Sequence, residues 1–176
     1  CGCVKAPAAW RRARAPGGAR AVPWMRGIGP TGGGTALAAA CKGWGDNLSR
    51  YAPFSEPAVK TNPKNAKFLV AQLEAEGDRV MKHLAPNDFV VLMDERGENL
   101  TSEALSALIA DAGDRGCSGC AFVVGGPFGH GDAVIARADR KIKLSSMVMN
   151  HQVGRLVRLE QIYRAWTIRR GEPYHH

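Results

Sequence analysis

No acidic residue occurs before Asp46. The first 45 residues carry Lys5, Arg11, Arg12, Arg14, Arg20, Arg26 and Lys42, so nearly all of the formal net charge of +8 resides there. Over the remaining chain 17 basic side chains face 16 acidic ones. That distribution excludes a polybasic binder whose nucleic-acid affinity is spread over the whole fold, because such affinity rests on phosphate contacts. Long apolar runs are missing too: none approaches the roughly 20 residues needed to span a bilayer, so no membrane partner is expected. Cysteine is sparse, and the five residues (Cys1, Cys3, Cys41, Cys117, Cys120) are odd in number and poorly spaced for a disulfide framework, which favours a reducing compartment. Cys117 and Cys120 have the spacing of half a zinc site, but no second pair stands at a suitable distance and Cys120 opens an apolar run, so no metal is expected. A redox role fits poorly as well, since the reactive thiol of such a pair opens a helix. There is no GK[ST] phosphate loop and no dinucleotide fingerprint.

What is present divides the chain in two. Residues 1 to about 40 hold Pro, Gly and Ala without hydrophobic period, including Gly32, Gly33 and Gly34, and are expected to be unstructured. Arginine-rich, alanine-rich and acid-free composition is that of an organelle transit segment, although serine is scarce and no amphipathic period is clear. The expected organisation is a basic extension over residues 1–43 and one folded domain over residues 44–176. With 45% hydrophobic residues, the chain can bury one core.

Beyond the extension, helical and strand patterns alternate. Trp44 to Tyr51 reads as the end of a first helix, and no convincing strand precedes it between Arg26 and Ala40. Asn62-Pro63 reads as a helix start, with Leu69, Leu73, Val80 and Leu84 on one face and Pro86 as the stop. FVVLM (residues 89–93) is a buried strand, Thr101 caps a helix that ends near Gly113, and CAFVV (residues 120–124) is a second buried strand. A short helix is expected over residues 132–141. Alternating helices and continuously apolar strands indicate an α/β fold with a parallel sheet. Ligands of such sheets bind beyond the carboxyl ends of the strands, and Val124 runs directly into GGPFGHG (residues 125–131). A glycine loop alone is weak support, since turns also need glycine.

Residues 144–176 concentrate the remaining chemistry. Asn150 is the expected cap of a long helix carrying Val153, Leu156, Val157, Ile162, Tyr163 and Trp166 at three- and four-residue steps. Arg155, Arg158 and Arg164 project at other angles, and Arg169 and Arg170 precede Gly171, where cations suit the helix dipole and glycine the left-handed cap. A chain end is normally frayed and polar, whereas this one ends PYHH.

The stretch NHQVGRLVRLEQIYRAWTIRRGEPYHH, with GGPFGHG and LMDERG upstream, resembles the RlmH family of SPOUT-class methyltransferases. That family modifies N3 of a pseudouridine in large-subunit ribosomal RNA with S-adenosylmethionine. The resemblance covers residues 44–176, and its wording is nearest to the plant and algal branch, which implies a chloroplast location, with the mitochondrion as the alternative. It implies a C-terminal trefoil knot in the parallel α/β sheet, a homodimer in which the tail of one subunit completes the other's pocket, and the assembled ribosome as substrate. Cofactor contacts are implied at Met93, Gly125, Leu144, Ser145, Ser146, Met147, Val148 and Met149. Candidate catalytic residues are His151 and His175 for the imide proton, Arg155 and Arg164 for the developing anion, and Tyr174 for stacking or shaping the pocket. Each also has an ordinary reading: His151 as a residue of the first helical turn, Arg164 as the partner of Glu160 four residues earlier, and His130 as the end of its loop. A SPOUT enzyme acting on a ribose or a tRNA base, or a non-catalytic ribosome-binding module, are the alternatives.

Overall fold

The computed structural model describes residues 24–30, 34–62 and 65–174. Five strands form one wholly parallel sheet: β1 (Met25–Ile28), β2 (Phe54–Ser55), β3 (Asp88–Asn99), β4 (Gly119–Val124) and β5 (Arg140–Lys143), in the order β2-β1-β4-β3-β5. The helices are α1 (Thr35–Leu48), α2 (Leu69–Met81), α3 (Ser102–Asp114), α4 (Asp132–Arg137) and α5 (His151–Arg170). Side chains of β3 and β4 alternate between two cores. Phe89, Val91, Met93, Cys120, Phe122 and Val124 join the cluster under α1, α3 and α5, while Val90, Leu92, Ala121 and Val123 join the one with Val80 of α2 and Val134 of α4. Both strands are therefore covered on both faces, which is why they read as unbroken apolar runs.

On α5, Leu159, Ile162, Ala165 and Trp166 are essentially inaccessible. Full burial of Leu159 and of Ile162 contributes about 1.5–3 kcal/mol each. Asn150 caps this helix by accepting from the Gln152 N–H at 2.9 Å, and Gly171 ends it in the left-handed conformation at φ 66°. Thr101 caps α3 in the same manner, accepting from the Ala104 N–H at 3.1 Å. The caps stand as the sequence implies, but the buried face of α5 is not the expected stripe: Val153 is 47% exposed, while Leu159 and the side chains of Arg155 and Arg158 are buried.

Four further expectations need correction. A first strand exists: β1 pairs with β4 through Met25–Cys120 to Ile28–Val123. Arg26 stays in register while its guanidinium pairs with Asp88 and lies 3.2 Å from the centroid of the Trp24 ring. With α1 starting at Thr35, the fold begins well before the expected boundary at residue 43, and Trp44 marks the middle of α1. The expectation of an unstructured segment over residues 1–23 lies outside the described residues.

Second, Asn62 does not cap a helix. It has φ 40°, and its side chain exchanges two hydrogen bonds with the backbone of Ala66, closing a turn ahead of α2, whose cap position is Phe68. Third, α4 stops at Arg137 because Ala138 is extended and Arg140 begins a strand paired with Val91. Lys141 belongs to that strand. Fourth, β3 does not end at Met93. Residues 94–97 leave the ladder, and pairing resumes at Glu98 beside Ile142.

Candidate active site

The central strands end in a cleft of about 430 Å³. Met93 and Val124 form its base at the carboxyl ends of β3 and β4, and the excursion of β3 places Asp94, Glu95 and Arg96 on its wall. The loop after β4 and the segment after β5 form the other sides, closed by His151 and Gly154 at the start of α5.

The loop after β4 is tight. Gly126 and Gly129 form an antiparallel bridge, with the Gly129 N–H donating to the Gly126 carbonyl at 3.1 Å. A Cβ on Gly125 would stand 2.6 Å from the Gly129 carbonyl oxygen, so only glycine lets the turn close. At the far end a Cβ on Gly131 would meet the Leu73 carbonyl of α2 at 2.6 Å, which presses the loop onto that helix. His130 is held between these points: its Nε2–H donates to the Met93 carbonyl at 3.0 Å. Burial pushes this imidazole below its ordinary value, while the bond to Met93 and the charge of Asp94 oppose the shift. The neutral ring thus ties the glycine loop to the end of β3.

Residues 144–149 present apolar side chains to the cleft. Met147 and Val148 are 77% and 82% exposed, and the Met147 N–H donates to Ser145 Oγ at 3.0 Å. Exposed apolar groups beside open backbone suit a ligand with a flat apolar face and polar edges.

Of the expected cofactor residues, the cleft brings together Met93, Gly125, Leu144, Ser145, Met147, Val148 and Met149; Ser146 belongs to the same segment without lining it. Of the expected catalytic residues, His151 alone lines it among those described. Arg155 is 9% exposed and is engaged by Glu56 through two hydrogen bonds, Nε to Oε1 at 2.9 Å and Nη2 to Oε2 at 2.7 Å. In a single chain it is an ion-pair partner, not a free cation facing the cleft. Arg164 pairs with Glu160 at 2.9 Å. Tyr174 donates from its hydroxyl to Glu160 at 3.1 Å and packs edge-on against Tyr163, with ring centroids 5.0 Å apart. Tyr163 lies twelve residues along α5 from His151, about 18 Å at the helical rise. His175 and His176 lie outside the described residues.

Three arginines of α5, Arg155, Arg158 and Arg164, are thus engaged by carboxylates of this chain. Arg158 is 1% exposed, donates to the Ile28 carbonyl at 3.1 Å and the Phe122 carbonyl at 3.3 Å, and shares Glu56 with Arg155. Burial pushes its guanidinium down to about 10, against the pull of Glu56, and it stays charged at neutral pH. Glu56 is the residue that sequence reasoning missed, since nothing local announces a partner about a hundred positions away. Glu76, 7% exposed and beside the glycine loop, gave no signal except its place on α2.

Residues 31–175 match the family model described as "Predicted SPOUT methyltransferase". An Arabidopsis thaliana protein, provisionally named an RNA methyltransferase, is 46% identical over 129 residues, covering 73% of this chain and 67% of its own. The ribosomal RNA large subunit methyltransferase H of Parabacteroides distasonis is 44% identical over 133 residues, with 74% and 84% covered. Its namesake in Clostridium acetobutylicum is 48% identical over 141 residues, with 74% and 89% covered. With the match spanning α1 through α5 and a parallel sheet whose central strands end in one cleft, the chain belongs to the SPOUT methyltransferase family, alongside its large subunit methyltransferase H members.

Proposed function

We propose that this protein transfers a methyl group from S-adenosylmethionine to N3 of a pseudouridine in large-subunit ribosomal RNA. The observation that carries the reading is the convergence of Met93, Gly125, Leu144, Ser145 and residues 147–149 on one cleft. Its volume of about 430 Å³ falls within the range of small-molecule sites, roughly 300–1,000 Å³. When bound, S-adenosylmethionine supplies a methyl carbon on a positively charged sulfur, open to displacement by an aligned nitrogen.

The chain's own residues account for the rest. Backbone groups of residues 144–149 read the edge of the adenine while Leu144, Met147 and Met149 cover its faces, and the glycines after β4 leave room for the remainder of the molecule. His151, at the cleft wall, accepts the imide proton of the target base. Arg96 and Lys143, on the same rim, meet phosphates of the RNA.

Within a single chain Tyr174 packs on Tyr163, about 18 Å along α5 from His151, so a homodimer in which Tyr174 and the terminal histidines serve the partner's cleft belongs to this reading. So does the trefoil knot. Its support is the match of residues 31–175 to the SPOUT family model. The substrate is the assembled ribosome, in the chloroplast or alternatively the mitochondrion; the support for that location is the acid-free basic composition of the first 45 residues.

The test is calorimetric titration of the chain with S-adenosylmethionine, with Gly125→Trp as control, followed by methyl transfer to ribosomes lacking the modification and nucleoside mass spectrometry. N3-methylpseudouridine in the large-subunit RNA is the expected product. A product on a ribose or on transfer RNA would replace the substrate assignment, and no binding by a demonstrably folded chain would remove the enzyme.

A further inference from the structure

Phe68, Leu69 and Val70 stand 78%, 49% and 68% exposed at the start of α2. Leu69, which periodicity assigns to the buried face of the helix, is turned out of it, and the fully buried positions begin only at Ala75. Single apolar side chains on a surface need no explanation, but three in succession at one helix end do. A built turn holds them there. Asn62 exchanges two hydrogen bonds with the backbone of Ala66, at 3.1 and 2.6 Å, and its own N–H donates to Glu76 Oε1 at 2.6 Å. A carboxylate inside α2 thus fixes the chain from which Lys67 and Phe68 emerge.

The charge beside this end is of one sign. Between Glu56 and Glu74 no acidic residue occurs, whereas Lys60, Lys64 and Lys67 do. Lys60 and Lys67 are exposed, and neither pairs with a carboxylate among the described residues. Glu56 is taken up by Arg155 and Arg158.

The same segment borders the cleft. A Cβ on Gly126, at the lip, would stand 3.7 Å from Thr61 Cγ2, and the glycine loop meets α2 again where Gly131 faces the Leu73 carbonyl. Phe68 lies five positions before Leu73, about 7.5 Å at the helical rise. Phe128, between those two points on the loop, lines the cleft and is itself exposed. One aromatic ring therefore stands at the lip and another beyond it, with lysines beside the outer one. Unstacked nucleic acid is bound by this combination, bases lying on rings and phosphates meeting cations. A second copy of the chain fits poorly, because a two-fold contact here would set the same lysines against one another.

We infer that the start of α2 is a docking site for the single-stranded ribosomal RNA next to the target nucleotide, with a base stacked on Phe68 and phosphates of that strand at Lys60 and Lys67. The inference rests on the ribosomal RNA reading above for its partner. The cleft holds the nucleotide to be modified and α2 holds the strand leaving it, so the enzyme selects an unpaired strand over a duplex, whose bases cannot be stacked on a ring.

The experiment irradiates the Phe68→p-benzoylphenylalanine variant with large ribosomal subunits lacking the modification. An adduct destroyed by ribonuclease is expected. An adduct to a ribosomal protein or to a second copy of the chain overturns the inference, as does the absence of any adduct. Methyl transfer to the same subunits is then measured with Phe68→Ser, Phe68→Leu and Phe68→Trp. KM for the subunits should rise about tenfold in the first two and stay within about twofold in the third, with kcat and S-adenosylmethionine affinity unchanged. An unchanged KM in Phe68→Ser overturns the docking site, and full activity in Phe68→Leu overturns the stacking, since leucine keeps the apolar contact without the ring. The double variant Lys60→Gln, Lys67→Gln should lower the slope of log affinity for the subunits against log salt by about 1.4, at about 0.7 for each phosphate of a single strand. An unchanged slope overturns the phosphate contacts. An RNA adduct formed by a chain that transfers no methyl group would overturn the function reading and leave this surface standing.

Discussion

Arg158 fills the space that a side chain at position 27 would need: a Cβ on Gly27 would stand 2.7 Å from Arg158 Nη2. The guanidinium reaches from α5 across the ends of β1 and β4, and Glu56 fixes both it and Arg155. Glu56→Gln leaves two guanidinium groups side by side with one of them fully buried. The expected loss is about 3–5 kcal/mol, the usual result of removing one member of a buried pair. Gly27→Ala should cost about 1–3 kcal/mol by overpacking. Urea unfolding reads both, and a Glu56→Gln midpoint equal to that of the unaltered chain would show that the pair contributes nothing.

Gly125→Ala tests the loop. Its Cβ would lie 2.6 Å from the Gly129 carbonyl oxygen, so the turn must open at the cleft wall. Cofactor affinity should fall by at least about tenfold, while stability falls by only about 1–3 kcal/mol. Calorimetry and thermal unfolding on the same sample separate the two. Undiminished affinity in the variant would mean that the ligand does not touch this turn.

His130 gives the pH dependence. Burial lowers its folded value below the ordinary 6.5, so the unfolded chain binds the extra proton first. The stability associated with the neutral ring is complete above about 6.5 and is lost as pH falls through the lower folded value. His83 acts in the same direction, through desolvation and the charge of Arg26. Unfolding midpoints should therefore drop between pH 7.5 and 5.5, with a smaller drop in His130→Gln. An identical drop in that variant would assign the effect to other groups.

The tail can be tested by mixing. A chain ended at Gly171 loses the Tyr174–Glu160 and Tyr51–Glu172 hydrogen bonds and should lose about 1–2 kcal/mol. It should bind cofactor yet not methylate, and His151→Ala should also be inactive. Refolded together in equal amounts, half of the pairs are mixed with one complete cleft each, so about a quarter of the activity should return. No recovery would indicate that the tail acts on its own chain or not at all.

The sequence made β3, β4, α3 and α5 legible because each is stated locally: apolar runs of strand length, a threonine and an asparagine at the caps, a glycine at φ 66°. It hid β1 because that strand has four residues and one of them is Arg26, whose acceptability depends on Trp24 and Asp88. It misplaced the start of α2 because Asn62 and Pro63 suit a turn as well as a cap. At the site, the glycine loop was readable from its place after an apolar strand, and it lines the cleft, whereas residues 144–149 were singled out only through the family resemblance. The arginines were not, since whether a guanidinium faces solvent or a carboxylate such as Glu56 is settled by packing between segments a hundred residues apart.

The placement of His151 at the start of α5 and of Tyr174, packed on Tyr163, farther along the same rigid rod has a counterpart in heredity. A helix cannot shorten to bring the two together, so on the dimer reading each complete cleft draws on two copies of the gene product. Alleles damaged at the cleft and alleles damaged at the tail then form separate classes. Each is silent alone, and a cell carrying one of each retains part of the function that neither allele supplies by itself.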